Sequence, residues 1–227
     1  MNVLITGTSS GIGRATANLF LANGFDVYGL DIKQPTIIHQ RYNHRVCDVS
    51  FKSDLPDIEE KPGRPLTMHY IVNNAGVIDE ETAIRVNLEG YVNVVEKYTS
   101  ASTISIVNVA SISGHVGLDT ARYAASQGGR LAYTKHLAIE LGKKWGIRVN
   151  SISPGAVMSG LEPELYKHKM LVDAVANENI LKKWIAPSEI AEWIYFVSVV
   201  NKSMTGQDIL IDNGEVANYN FVSVYDE

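Results

Sequence analysis

The chain opens on a strand, a glycine-rich turn and a helix with nothing between them, and that run limits the folds open to it. Asn2 to Thr6 is apolar and β-branched, as a strand buried on both faces must be. Gly7, Gly11 and Gly13 follow within seven residues, and Arg14 to Ala22 reads as a helix that stops at Gly24. Such a turn directs backbone N–H groups and a helix N-terminus at a phosphate. Gly7 permits the tight turn, Gly11 lets backbone approach a pyrophosphate, and Gly13 lets the helix pack closely on the strand. Ser9, Ser10 and Ile12 complete the cradle.

Asp26 to Asp31 is a second strand, and it ends in a carboxylate about twenty residues past the turn, where a ribose 2′-hydroxyl is held in dinucleotide sites. A carboxylate there repels a 2′-phosphate. NAD(H) is therefore expected over NADP(H), against the pull of nearby Lys33 and Arg14.

Strand and helix patterns alternate to the end of the chain. That implies an α/β, Rossmann-type, doubly wound parallel sheet of about seven strands in one domain spanning 1–227. Further strands are expected at His44–Cys47, Met68–Asn73, Thr103–Val109, Ile147–Ile152 and Gln207–Ile211. Asp79 reads as the N-cap of a helix carrying Ile84, Leu88, Tyr91, Val92 and Val95. The stretch after Asp31 contains Pro35 and is short, so a loop is expected there instead of a crossover helix. Residues 156–186 read as a lid, and 215–227 as a tail whose Tyr219, Phe221, Val222 and Tyr225 dock on a neighbour or beside the pocket.

The helix from Arg122 to Lys143 carries apolar or small residues on nearly every side, which points to burial on two sides and to a homodimer or homotetramer. Gly128 and Gly129 within it suit a close backbone approach. A net charge of -5 with no basic cluster excludes nucleic acid and anionic membrane as partners. The single cysteine, Cys47, rules out an internal disulfide framework and reads as a small core residue. The chain enters its first strand directly and carries no spanning stretch, so a cytoplasmic protein without a leader is expected.

Five more features stand in a specific order. Asn73-Asn74-Ala75-Gly76 ends the fourth strand and Asn87 sits in the next helix. Ser111 follows the fifth strand, Tyr123 comes twelve residues later, and Pro154-Gly155 closes the sixth. Together with the Thr6–Gly13 turn and Gly206–Gly214, this order resembles the short-chain dehydrogenase/reductase family across nearly the whole chain. The resemblance implies that Tyr123 is the general acid/base for hydride transfer to or from nicotinamide. It implies that Ser111 holds the substrate oxygen and that Asn87 supports a water chain for the proton. It also implies that Asp48 and Val49 meet adenine, that Asn74, Ala75 and Gly76 floor the ribose side, and that Pro154, Gly155, Val157 and Ser159 meet the carboxamide. The expected substrate is a small-molecule secondary alcohol or ketone, and the apolar lid residues Met158, Leu161, Leu165, Tyr166, Met170 and Leu171 favour a bulky apolar one.

One departure stands out. Four residues after its tyrosine the family carries lysine, whereas this chain has Gln127. The lysine binds the nicotinamide ribose and its charge favours tyrosinate. Glutamine keeps the hydrogen bonds but supplies no charge, so reduced activity is expected, and a dinucleotide-binding protein with little turnover is the alternative. Lys135 is roughly 18 Å along the helix from Tyr123 and cannot substitute. Arg130 shares the face but lies two turns away, which makes it a weak candidate. Gln127→Lys is expected to restore the charge. The stretches after Asp31 and between Gly76 and Asn87 are shorter than usual, as in a compact bacterial hydroxysteroid-dehydrogenase-like subgroup.

Overall fold

The computed structural model describes residues 1–161 and 165–218. β1 (Asn2–Thr6), β2 (Asp26–Asp31) and β3 (Tyr42–Val46) lead to a short hairpin of β4 (Glu59–Lys61) and β5 (Arg64–Pro65). β6 (Tyr70–Asn73), β7 (Ser105–Val109), β8 (Arg148–Pro154) and β9 (Asp208–Ile211) follow. Seven strands form one parallel sheet in the order β3-β2-β1-β6-β7-β8-β9. The order reverses direction between β1 and β6, and a crevice opens there beyond the carboxyl ends of the strands.

Alternation along the strands sends side chains into two cores. Leu4, Leu30, Ile71, Ile106 and Val149 pack on one face with α2 (Gly90–Tyr98) and α4 (Ala121–Trp145). Val3, Ile5, Val27, Val72 and Ile152 pack on the other with α1 (Gly11–Ala22) and α6 (Pro187–Tyr195). Between β7 and α4 lies a one-turn helix, α3 (Ser113–Val116), and the lid contains α5 (Lys169–Glu178). No helix among the described residues is long and apolar enough to cross a membrane.

The observed elements differ from the expected ones where polar residues hide them. β3 starts two residues early, because Tyr42 pairs with Val27 and its hydroxyl reaches Thr8. Residues 32–41 form the expected loop, without a helix. The hairpin of β4 and β5 was not anticipated, since exposed charged residues flank its Pro62-Gly63 turn. Before α2 the chain makes a wider turn of π-helix at Arg85–Glu89, and Asp79 accepts the Thr82 N–H as its cap.

α4 is not apolar all round. Lys135, His136, Ile139 and Glu140 are exposed in the single chain, and its first buried residues are the polar Ser126, Gln127, Arg130 and Thr134. Polarity faces inward there because that half of the helix lies over the crevice. Asn73, Asn108 and Thr134 form a buried chain of bonds at 3.0 and 2.9 Å that pins the helix to the sheet. The close approach at Gly128 is internal, since Gly128 and Gln127 face Gly114 of α3. The tail's Tyr219, Phe221, Val222 and Tyr225 lie outside the described residues.

Candidate active site

The cradle is built from the end of β1 outward. Thr6 Oγ1 accepts the N–H groups of Asn74 and Ala75, both at 2.9 Å, which locks the ends of β1 and β6 together. Gly7 turns the chain at φ 76°, and a Cβ on Gly13 would lie 2.0 Å from the Gly7 carbonyl oxygen. Only glycine allows that helix-to-strand distance. No side chain caps the first turn of α1. Its N–H groups therefore face an open cleft of about 510 Å³, lined by Ser10, Gly11, Arg14, Ser159 and Tyr166. An uncapped helix N-terminus with glycine at each close approach is what a pyrophosphate requires, so these residues fit a dinucleotide.

Asp31 is held ready. Its Oδ2 accepts the Ser9 N–H and its Oδ1 the Lys33 N–H, each at 2.8 Å. Ser9 points inward and donates to the Gln34 carbonyl at 3.0 Å, so it fastens the loop to the turn while Ser10 lines the cleft. Asp48 Oδ1 accepts the Ser50 N–H, and buried Val49 packs against Gly90 of α2. Cys47 is buried, and desolvation pushes its thiol up to about 11, which removes it as a nucleophile at neutral pH.

At the other end of the crevice, Ser111 follows β7. Its hydroxyl donates to Ser113 Oγ at 3.2 Å, and Ser113 in turn donates to Asp119 in a short bond. Tyr123 stands in the first turn of α4, half-buried. The Ser126 hydroxyl donates to the Tyr123 carbonyl at 2.7 Å and accepts from Asn87 Nδ2 at 3.1 Å. Asn87 is buried in the π turn. Its Oδ1 accepts the Val77 N–H and its Nδ2 also donates to the Val77 carbonyl, so the side chain clamps the loop after β6. The lid closes over the turn at Ser159, whose carbonyl would lie 2.5 Å from a Cβ on Gly11. That puts Ser159 over the glycine turn. Pro154 and Gly155 bond to Ile112 and Ile211, and Glu215 lies against Gly155 with its carboxyl pushed up, chiefly by burial.

Beneath Tyr123 lies a group that sequence reasoning undervalued. Arg130 is 3% exposed and Gln127 1%. Arg130 donates from Nη1 to Gln127 Oε1 at 2.9 Å and to the Val109 carbonyl at 2.7 Å. It donates from Nε to the Asn87 carbonyl at 2.5 Å and from Nη2 to the Ala75 carbonyl at 3.2 Å. Its guanidinium stacks 3.9 Å from the Tyr91 ring centroid, within the range of a cation–π contact. Spacing alone shows that Arg130 shares a face with Tyr123. It does not show that a long side chain turns under the sheet ends.

The comparisons with known proteins fit this geometry. A family model described as Enoyl-(Acyl carrier protein) reductase matches residues 7–215. The chain belongs to the short-chain dehydrogenase/reductase family. This short-chain dehydrogenase/reductase is 29% identical to the 3-oxoacyl-(acyl-carrier-protein) reductase FabG of Chlamydia pneumoniae, over 93% of the chain and 95% of the relative. It is 30% identical to an uncharacterized short-chain type dehydrogenase/reductase of Sinorhizobium fredii, covering 93% of the chain but spanning only 43% of that relative. A 4-hydroxyisoleucine dehydrogenase complexed with NADH superposes with a TM-score of 0.83 at 28% identity, covering 96% of this chain and 99% of that one. The family is one of oxidoreductases on the seven-stranded Rossmann sheet described above.

Proposed function

We propose that this short-chain dehydrogenase/reductase is an NAD(H)-dependent oxidoreductase that interconverts a secondary alcohol and a ketone. The observation that carries the reading is one carboxyl edge of the sheet that bears Ser111 after β7, Tyr123 in the first turn of α4, and an uncapped α1 beside the Asp31 carboxylate. The similar dehydrogenase complexed with NADH supports the choice of cofactor. A bound nicotinamide would accept or return the hydride. Ser111 holds the substrate oxygen, and Tyr123 takes the hydroxyl proton on oxidation and returns it on reduction. Met158 of the lid lines the cleft, and Leu161, Met170 and Leu171 of the lid are exposed, which suits a bulky apolar substrate. Gln127 brings no charge of its own, so any positive charge that favours the Tyr123 phenolate must come from another residue.

The alternative, a dinucleotide-binding protein with little turnover, draws on one observation. The Asn87 carbonyl, which would anchor a proton-carrying water chain, already accepts from Arg130. Turnover separates the two readings. With NAD and a panel of secondary alcohols at rising pH, oxidation is expected to climb, and Tyr123→Phe should lower it by about 10²- to 10⁴-fold while NADH binding persists. NADH binding without oxidation or reduction of any substrate would favour the alternative.

The protein is further proposed to be cytoplasmic and a homodimer or homotetramer, with exposed Ala125, Ala132 and Ile139 of α4 at the contact. Sedimentation should show a dimer or larger, and a monomer at micromolar concentration would remove α4 as an interface.

A further inference from the structure

Arg130 has no carboxylate partner among the described residues. Its hydrogen bonds end on three backbone carbonyls and one neutral amide. Burying a guanidinium without a counter-charge is costly. Its donors satisfy the Asn87, Val109 and Ala75 carbonyls, a task that neutral amide donors can share. The charge itself is better explained by position. Val109 ends the strand before Ser111 and Asn87 clamps the loop after β6, while the family resemblance puts Ala75 at the ribose floor and Gln127 at the lysine position. Tyr123, Gln127 and Arg130 fall at i, i+4 and i+7 on one face of α4.

We propose that Arg130 supplies from beneath the site the positive charge that position 127 lacks, so that Gln127 and Arg130 together do the work of one lysine. This rests on the oxidoreductase reading above. The two tasks are divided between the two residues. The Gln127 amide is oriented by its Oε1 on the guanidinium, which leaves Nε2 as the donor end for a ribose hydroxyl. Arg130 acts through Tyr123 as a positioning residue, its charge favouring the phenolate. Arginine stays protonated even when buried, and its guanidinium bonds Gln127, which sits one helical turn from Tyr123 on the same face of α4. The other titratable group facing the guanidinium is Tyr91, whose ionisation burial suppresses. The Asp119 carboxylate is linked to Ser111 through the Ser113 hydroxyl.

The test reads the ionisation of Tyr123 directly, by NMR of isotope-labelled tyrosine with the Tyr123→Phe variant as the assignment. In Arg130→Met the Tyr123 midpoint should rise by about one pH unit or more, and in Arg130→Lys by clearly less. A purely structural role would not move that midpoint. A folded Arg130→Met protein with an unmoved Tyr123 midpoint overturns the proposal. Where Arg130→Met does not fold, Arg130→Gln removes the charge while keeping amide donors for the carbonyls, and the same shift is expected. In the unmodified protein, a Tyr123 midpoint at or above its ordinary value of about 10 also overturns it. The titration needs no turnover, so a protein that oxidises nothing can still pass, and the two readings fail separately.

Discussion

The glycine turn and the floor beneath Tyr123 both lie at the carboxyl edge of the sheet and are built by opposite means. At the turn the structure works by absence, since Gly7, Gly11 and Gly13 let backbone approach backbone and leave the first N–H groups of α1 open. At the floor it works by insertion, since one long charged side chain joins the loop after β6, the end of β7 and the π-helical turn at Asn87 and holds them. A cradle made by steric exclusion tolerates one residue type at each contact. A floor made by a flexible cation can draw that cation from more than one position, so that, on the proposal above, Arg130 seats the charge while position 127 is neutral.

Three experiments can break or sharpen that contrast, beginning with the largest expected effect. Gly13→Ala places a Cβ 2.0 Å from the Gly7 oxygen. Ordinary overpacking costs about 1–3 kcal/mol, and backbone has no rotamer by which to escape. A loss of about 3 kcal/mol or more in denaturant melting, with loss of NADH binding, is therefore expected. An alanine protein that keeps both would show that exclusion does not define the cradle.

Gln127→Lys tests the floor, and the structure changes what should be expected of it. Arg130 Nη1 lies 2.9 Å from the Gln127 side chain, so a lysine there meets a like charge. The single substitution should gain no activity and should lose stability. Combined with Arg130→Met, it should raise alcohol oxidation near neutral pH by about 10- to 1000-fold over Arg130→Met alone. A single Gln127→Lys variant that gains as much as the double one would mean that the guanidinium is not felt at position 127.

The smallest effect is expected at Asp31, which belongs to the cradle but acts by charge. Asp31→Ala should shrink the preference for NADH over NADPH by about tenfold, equal to about 1.4 kcal/mol, as measured by fluorescence titration. Equal affinities in the unmodified protein would show that Lys33 or Arg14 outweighs the carboxylate.

The sequence alone determined the parallel α/β sheet, the glycine turn, the carboxylate at the end of β2 and the order of Asn87, Ser111, Tyr123 and Gln127. Each of these leaves a local mark: a period, a glycine that nothing else can replace, or a spacing along one helix. The tertiary structure decided what lies between them. Thr6 binding the amides of Asn74 and Ala75, Ser9 turning inward, Tyr42 reaching Thr8 and Ser159 covering Gly11 all join residues far apart in the chain. Arg130 shows the limit most clearly. Helical spacing places it two turns from Tyr123 and so argues against it, because Cα positions do not record where a flexible side chain ends. Its actual course depends on carbonyls from Ala75, Asn87 and Val109 and on the ring of Tyr91. Those groups converge only once the sheet is folded.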